Sequence, residues 1–128
     1  MKRGGILNPA LSKLLAETGH TDILTICDRG FPVPPDQQRL DLALVDDIPT
    51  VLDVLRAVHA EFVIDCIIVT EEMAAASPAR YAQLQAEFAG LRFMTVSHQR
   101  FKQLVPESRA VIRTGDTAPY ANLMIVSG

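Results

Sequence analysis

The amino-acid sequence predicts an α/β domain, three layers deep, with a mixed, mostly parallel sheet of about six strands flanked by helices. Three observations predict it. Short runs rich in Val and Ile alternate with stretches of about ten residues whose apolar positions recur at helical spacing. Several of these runs are apolar at consecutive positions, the pattern of strands buried on both faces. Near the C-terminal end only Gly115 to Ala121 separate two such runs, too few residues for a crossover helix, so the last two strands are expected to be antiparallel.

The elements follow in order. Asn8 to Gly19 reads as a helix with both ends marked: Asn8 as cap, Pro9 at the first helical position, Leu11, Leu14 and Leu15 on one face, and a closing glycine. Ile23 to Cys27 is a short buried strand closed by Asp28 and Gly30, and Leu40 to Val45 is a second strand. Between them the prolines of Phe31 to Pro35 make a rigid loop. Pro49 to His59 is a helix burying Val51, Leu52, Leu55 and Val58, and Phe62 to Thr70 is a central strand. Ser77 and Pro78 begin a helix with Tyr81, Leu84, Phe88 and Leu91 on one side. Arg92 to Val96 reads as a strand, His98 to Val105 as a short helix, and Ala110 to Thr114 and Asn122 to Val126 as the closing strands.

A chain of 128 residues with 48% hydrophobic composition has enough apolar side chains to build one core, and residues 1–128 are expected to form one domain. Twelve Lys and Arg against fifteen Asp and Glu give a net charge of −3, and the basic residues are scattered, which argues against nucleic acid as a partner. No apolar run approaches the roughly 20 residues of a membrane span. Gly4 to Leu11, broken by Asn8 and Pro9, does not make the apolar part of a signal peptide. Cys27 and Cys66 lie in apolar runs without metal-ligand spacing, as buried thiols of a reducing compartment do. The expectation is a cytoplasmic protein with neither disulfide nor metal.

Ligands of open α/β sheets bind beyond the carboxyl ends of the strands. Three polar places follow strands: Asp28 with the loop Arg29-Gly30-Phe31-Pro32, His98 after Val96, and the run from Gly115 to Asn122. His20 follows the glycine that closes the first helix. Each residue also has a plain structural reading. His20 suits the negative end of a helix dipole as well as proton transfer. His98 suits a helix start, Asp28 an ordinary turn, and Tyr120 and Asn122 satisfied hydrogen bonds in a loop. Lys102 reads as a solvated helix residue and His59 as structural. There is no GxGxxG, P-loop or GxSxG pattern, which argues against nucleotide cofactors and serine-type acyl transfer. The remaining His, Asp, Tyr, Asn and Lys groups suit a polyhydroxylated ligand and the movement of protons on it.

Gly19-His20-Thr21-Asp22-Ile23-Leu24-Thr25-Ile26-Cys27-Asp28 and Gly30-Phe31-Pro32-Val33-Pro34 resemble the N-terminal signature of the D-ribose pyranase and L-fucose mutarotase family. The likeness continues in order through Arg39-Leu40-Asp41, Glu71-Glu72, His98 to Lys102, Glu107 to Asp116 and Pro119-Tyr120-Ala121-Asn122. His98 ahead of Phe101-Lys102, together with Pro-Tyr-Ala-Asn at 119 to 122, resembles the ribose branch. Arg29 departs from the alanine usual there.

The resemblance implies a cofactor-independent cytoplasmic isomerase that interconverts the β-pyranose and β-furanose forms of D-ribose. It also implies a ring-shaped homo-oligomer, a decamer, with sites at subunit contacts. His20 would be the acid-base residue, Asp28, His98, Tyr120, Ala121 and Asn122 the sugar ligands, and Lys102 an additional one. Two alternatives stand beside it: a mutarotase of the L-fucose type exchanging only anomers, and a non-catalytic monosaccharide-binding protein. Geometry adds a condition of its own. If Ile23 to Cys27 is extended, His20 and Asp28 lie up to about 26 Å apart at roughly 3.3 Å per residue, so one chain is not expected to present both to one sugar.

Overall fold

The computed structural model describes residues 1–128. Six strands form one sheet in the order β2-β5-β1-β6-β3-β4, with β1 at Ile23–Cys27, β2 at Arg39–Asp41, β3 at Ile64–Thr70, β4 at Arg92–Val96, β5 at Ala110–Arg113 and β6 at Leu123–Ser127. β1 pairs in parallel with β5, β5 with β2, and β3 with β4. β6 is inserted antiparallel between β1 and β3. The last two strands do run in opposite directions, but β1 lies between them, so they are not a hairpin.

Helices cover both faces. One face carries α1 (Pro9–Glu17), α2 (Val51–His59), α3 (Glu71–Ala76) and α4 (Pro78–Glu87), whose Leu11, Leu14, Val51, Leu55, Val58, Met73 and Leu84 pack with Leu24, Ile26, Ile67, Ile112 and Ile125 of the strands. The other face carries α5 (His98–Leu104) and a 3-10 turn (Val105–Glu107), which bury Phe101 and Val105 against Cys27, Cys66, Ile68, Val111 and Met124. Alternation along each strand sends successive side chains to the two cores.

The helix starts are locally determined. The Asn8 side chain accepts from Leu11 N at 2.9 Å, with Pro9 as the first helical residue. Thr50 and Asp53 form a reciprocal capping box on α2. The Ser97 hydroxyl accepts from Arg100 N at the head of α5.

Two expectations need correction. The second strand is not Leu40 to Val45 but Arg39–Asp41. Beyond it Asp41 accepts the Ala43 N–H, and the chain folds into a loop closed by a bridge between Val45 and Ile48. Leu44, Val45 and Ile48 are exposed there, so their apolar character does not mark a strand. Helix α3 falls where no helix is expected, because its alanines give no apolar stripe and only Met73 is buried. Leu55 on α2 is fully buried in the larger core, and Leu55→Ala is expected to lower unfolding free energy by about 2–5 kcal/mol in chemical denaturation.

Candidate functional site

β6 enters the sheet at the end where β1, β3 and β4 leave it. The segments just outside that end are therefore Asp28 to Pro32 after β1, His98 after β4, and the loop from Thr114 to Asn122 that leads into β6. They enclose an open pocket of about 300 Å³ lined by Asp28, Phe31, His98, Lys102, Tyr120 and Asn122, with Gly30, Pro32 and Pro119 at its edges. A volume of this order takes one small molecule.

Asp28 is fixed by its own turn and by its neighbour across the sheet. Its carboxylate accepts the Gly30 N–H at 2.9 Å, and its backbone N–H donates to Asn122 Oδ1 at 2.8 Å. Burial is the largest influence on the carboxyl and pushes it above its ordinary value of 3.8, while hydrogen bonds from Gly30, Phe31 and Asn122 pull the other way. The preceding Cys27 is fully buried in the smaller core. Desolvation, helped by the charge of Asp28, pushes its thiol up to about 12, so it fills space as a protonated thiol and is no nucleophile.

His98 sits in an aromatic enclosure. Its ring meets Tyr120 edge-on at 5.0 Å between centroids, Phe31 edge-on at 6.5 Å, and stacks parallel to Phe101 at 6.5 Å. The backbone N–H of His98 donates to the Glu72 carboxylate at 2.7 Å. Its Nδ1 is buried without a hydrogen-bond partner, which leaves Nε2 as the ring's polar contact.

The third wall is the loop before β6. Tyr120 has φ of 55°, a left-handed conformation uncommon for a bulky residue. The loop is clamped on both sides: the Ser77 hydroxyl donates to the Pro119 carbonyl at 2.6 Å, and Ala118 N–H donates to Asp116 at 2.9 Å. Asp116 is fully buried. Its carboxylate also accepts the Val51 N–H at the start of α2 and both terminal nitrogens of Arg80 on α4, and its carbonyl accepts the Arg29 N–H.

Asp28, His98, Lys102, Tyr120 and Asn122 thus come together in one pocket. Ala121 belongs to the same segment, and its methyl is buried in the larger core, so what it can offer the pocket is its main chain. His20 stands apart. It is exposed at the opposite end of β1, where Thr21 N–H donates to Ser127 O and Arg109 N–H to Ile23 O. Five extended residues, about 16 Å, separate that loop from Asp28. One chain does not assemble the full set.

Arg29, adjacent to Asp28, turns away from the pocket and pairs with Asp46 at 2.7 Å. No group of three or more His, Cys, Asp or Glu side chains is arranged to hold a metal ion, and no helix is long and apolar enough to cross a membrane.

Sequence reasoning gave no role to Asp116, Arg80, Glu72 or Ser77; the Arg80–Asp116, Glu72–His98 and Ser77–Pro119 contacts join residues 26 to 42 apart in sequence. Phe31 and Phe101 carried an apolar signal but nothing that joined them to His98.

Comparison with known proteins gives one consistent match. The pattern of the RbsD / FucU transport protein family matches residues 1–128. The chain is similar to D-ribose pyranase of Geobacillus kaustophilus, with 44% identity over 128 residues covering 100% of this chain and 94% of the relative. It is also similar to D-ribose pyranase 2 of Rubrobacter xylanophilus, with 43% identity covering 100% of this chain and 84% of the relative. Among solved structures, Bacillus subtilis RbsD complexed with D-ribose superposes with a TM-score of 0.94 at 37% identity, covering 100% of this chain and 98% of that one. The fucose mutarotase of Streptococcus pneumoniae in complex with L-fucose shares the fold, with a TM-score of 0.82 at 19% identity over 95% of this chain and 93% of that one.

The raised Asp28 carboxyl has a consequence for stability. A carboxyl whose folded value lies above its unfolded one favours folding when protonated, and that contribution is lost as pH rises through the folded value. Asp28→Asn removes the desolvated charge and keeps an oxygen for Gly30 N–H. The variant is therefore expected to melt no lower than the unmodified protein at pH 7, with the difference shrinking as pH falls toward the ordinary carboxyl range. Thermal melts at pH 7 and pH 4 check this.

Proposed function

The chain belongs to the RbsD / FucU transport protein family, and from that premise we propose that it is a cofactor-independent isomerase interconverting the β-pyranose and β-furanose forms of D-ribose. The observation that carries the reading is the pocket of Asp28, His98, Tyr120 and Asn122 at the carboxyl end of the sheet. It belongs to a chain similar over its whole length to D-ribose pyranases and to a protein whose structure holds D-ribose. Residues 1–128 act as one domain, and a cytoplasmic setting suits the two free, buried thiols.

The chemistry needs two proton movements in ring opening and two more in ring closure. In the pyranose, the proton on the anomeric hydroxyl leaves as the bond from the anomeric carbon to the ring oxygen breaks, and the ring oxygen takes up a proton. The products are an aldehyde and a free hydroxyl. The hydroxyl one carbon nearer the aldehyde then attacks it, gives up its proton, and the carbonyl oxygen is protonated, which closes the five-membered ring. Both ring-forming bonds are to the anomeric carbon, and no electrons leave the sugar.

His20 serves as the acid-base residue, since imidazole exchanges protons near neutrality. Asp28 accepts sugar hydroxyls, Asn122 offers an amide beside it, and Tyr120 orients the ring through its hydroxyl and its face. His98 contributes Nε2 as a further ligand and proton relay. Lys102 is an additional ligand at the rim.

His20 reaches the sugar from a neighbouring subunit of a homo-oligomeric ring, a decamer in this reading. Separation of His20 from the pocket along β1 supports the sharing of sites between chains. So do the exposed Leu44 and Val45, at 75% and 58% exposure, which are apolar surface suited to burial against another copy.

Exchange NMR on D-ribose and L-fucose tests the function. The protein is expected to accelerate pyranose-furanose exchange of D-ribose; acceleration of anomer exchange alone would mark an L-fucose-type mutarotase, and binding without acceleration a sugar-binding protein. His20→Ala is expected to slow the exchange by about 10²–10⁴-fold, and an unchanged rate removes His20 from the mechanism.

Sharing of the site has a separate test. Asp28→Asn is expected to weaken D-ribose binding and leave little activity. Co-assembled from denatured chains in equal amounts, His20→Ala and Asp28→Asn should restore about one quarter of the unmodified activity, the fraction of sites that draw an intact half from each variant. No recovery in a mixed assembly counts against shared sites.

A further inference from the structure

We propose that Arg80, acting through Asp116, is a positioning residue that sets the affinity of the pocket for its sugar, an inference that rests on the function proposed above. Arg80 lies on α4 and does not line the pocket. Its guanidinium grips the fully buried Asp116 carboxylate as a fork, with the second nitrogen at 3.3 Å, and its own side chain is only 18% exposed.

From Asp116 the hydrogen bonds run to the two parts of the pocket that hold ligands. Asp116 Oδ1 takes the Ala118 N–H, two residues before Tyr120, and the Asp116 carbonyl takes the Arg29 N–H, the peptide immediately after Asp28. Tyr120 depends on such a clamp. Its backbone is left-handed at φ 55°, a conformation that a bulky residue keeps only when its surroundings impose it. Asn122, which accepts the Asp28 N–H, is carried by the same loop.

The fork is what makes the position specific. Each Asp116 oxygen receives one main-chain N–H and one arginine nitrogen, Oδ2 from Val51 and Nη1, Oδ1 from Ala118 and Nη2. Lysine supplies the charge but only a single point of contact. With lysine the carboxylate stays neutralised but is free to turn, and the turn moves the Ala118 peptide and with it Tyr120. His20 lies at the other end of β1 and is untouched by this movement. The effect therefore falls mainly on binding and leaves the acid-base residue His20 in place.

The test is the concentration dependence of D-ribose pyranose-furanose exchange, measured by NMR on the assembled protein. Arg80→Lys is expected to raise KM about tenfold while kcat stays within about threefold. A role confined to stability lowers the amount of active protein and so lowers apparent kcat, but leaves KM unchanged. Gln83→Ala, on the same helix and outside these bonds, should leave both constants unchanged. A KM for Arg80→Lys equal to that of the unmodified protein overturns the proposal. Should that variant be too unstable to assay, Asp116→Asn, which keeps an oxygen acceptor for only one of the Val51 and Ala118 N–H groups, is read in the same way. If the unmodified protein fails to accelerate the exchange, the parent function fails, and the positioning role is read from D-ribose titration alone: a Kd about tenfold weaker in Arg80→Lys supports it, and an equal Kd overturns it.

Discussion

The buried carboxylate of Asp116 is the constraint on which the pocket end of the molecule depends. An ionised group with no solvent exposure costs several kcal/mol unless it is paired and its lone pairs are filled. Here four donors fill them: two N–H groups and the two ends of one guanidinium. One N–H heads α2, where the helix dipole adds a further favourable interaction. Three elements distant in sequence, α2, α4 and the loop before β6, are thereby required to meet at one point. A chain that misplaced any of them would leave a charge buried without partners, so the arrangement is cooperative.

That meeting point lets the sheet reverse direction. After β5 the chain does not cross back over a face but stays at the same end of the sheet, passes β1 and enters as antiparallel β6. Gly115 makes the first step possible, because a side chain there would run into the Val45 carbonyl, and the tightness is used: Asp47 N–H donates to Gly115 O at 2.7 Å and Gly115 N–H to Pro49 O at 2.9 Å. The reversal brings Asn122 at the start of one strand beside Asp28 at the end of another. In an all-parallel sheet the residue preceding a strand lies at the opposite end from the residues that follow its neighbours. The contact between Asn122 and Asp28, and the pocket around it, therefore comes from having one strand reversed.

These features differ in how far they could be read from the sequence. Strands β1 and β3 were legible because consecutive apolar residues report burial on two faces, and the start of α1 because its cap is local chemistry. The pocket ligands were legible in part, since Asp28, His98 and Asn122 all flank strands. Their meeting was not, because it depends on strand order, and the short loop after β5 betrays the direction of β6 but not that β1 intervenes. Leu44 and Val45 misled for a physical reason: an apolar residue reports burial only when something within the same chain covers it. The pairing of Asp116 with Arg80 left no local trace, since an acid and a base 36 residues apart look like any other surface charges until the fold buries one of them.

Strand β1 links the chemistry to the proposed assembly. It carries a candidate acid-base residue before its first residue and a candidate sugar ligand after its last, and its length holds the two too far apart within one chain to share one sugar. In an assembly each chain then serves two sites, one with each end of the strand. An isologous pair of chains would complete two sites at a single contact. A heterologous contact completes one site per neighbour and leaves an unmatched half at each end until the chain of contacts closes into a ring. In either arrangement the proposed ligands would be held within one chain, where the buried Asp116 and Arg80 pair can keep them in place, and the proposed proton donor would cross the contact. In that proposal binding geometry is a property of the fold, while proton transfer is a property of the assembly, and a change on one side need not disturb the other.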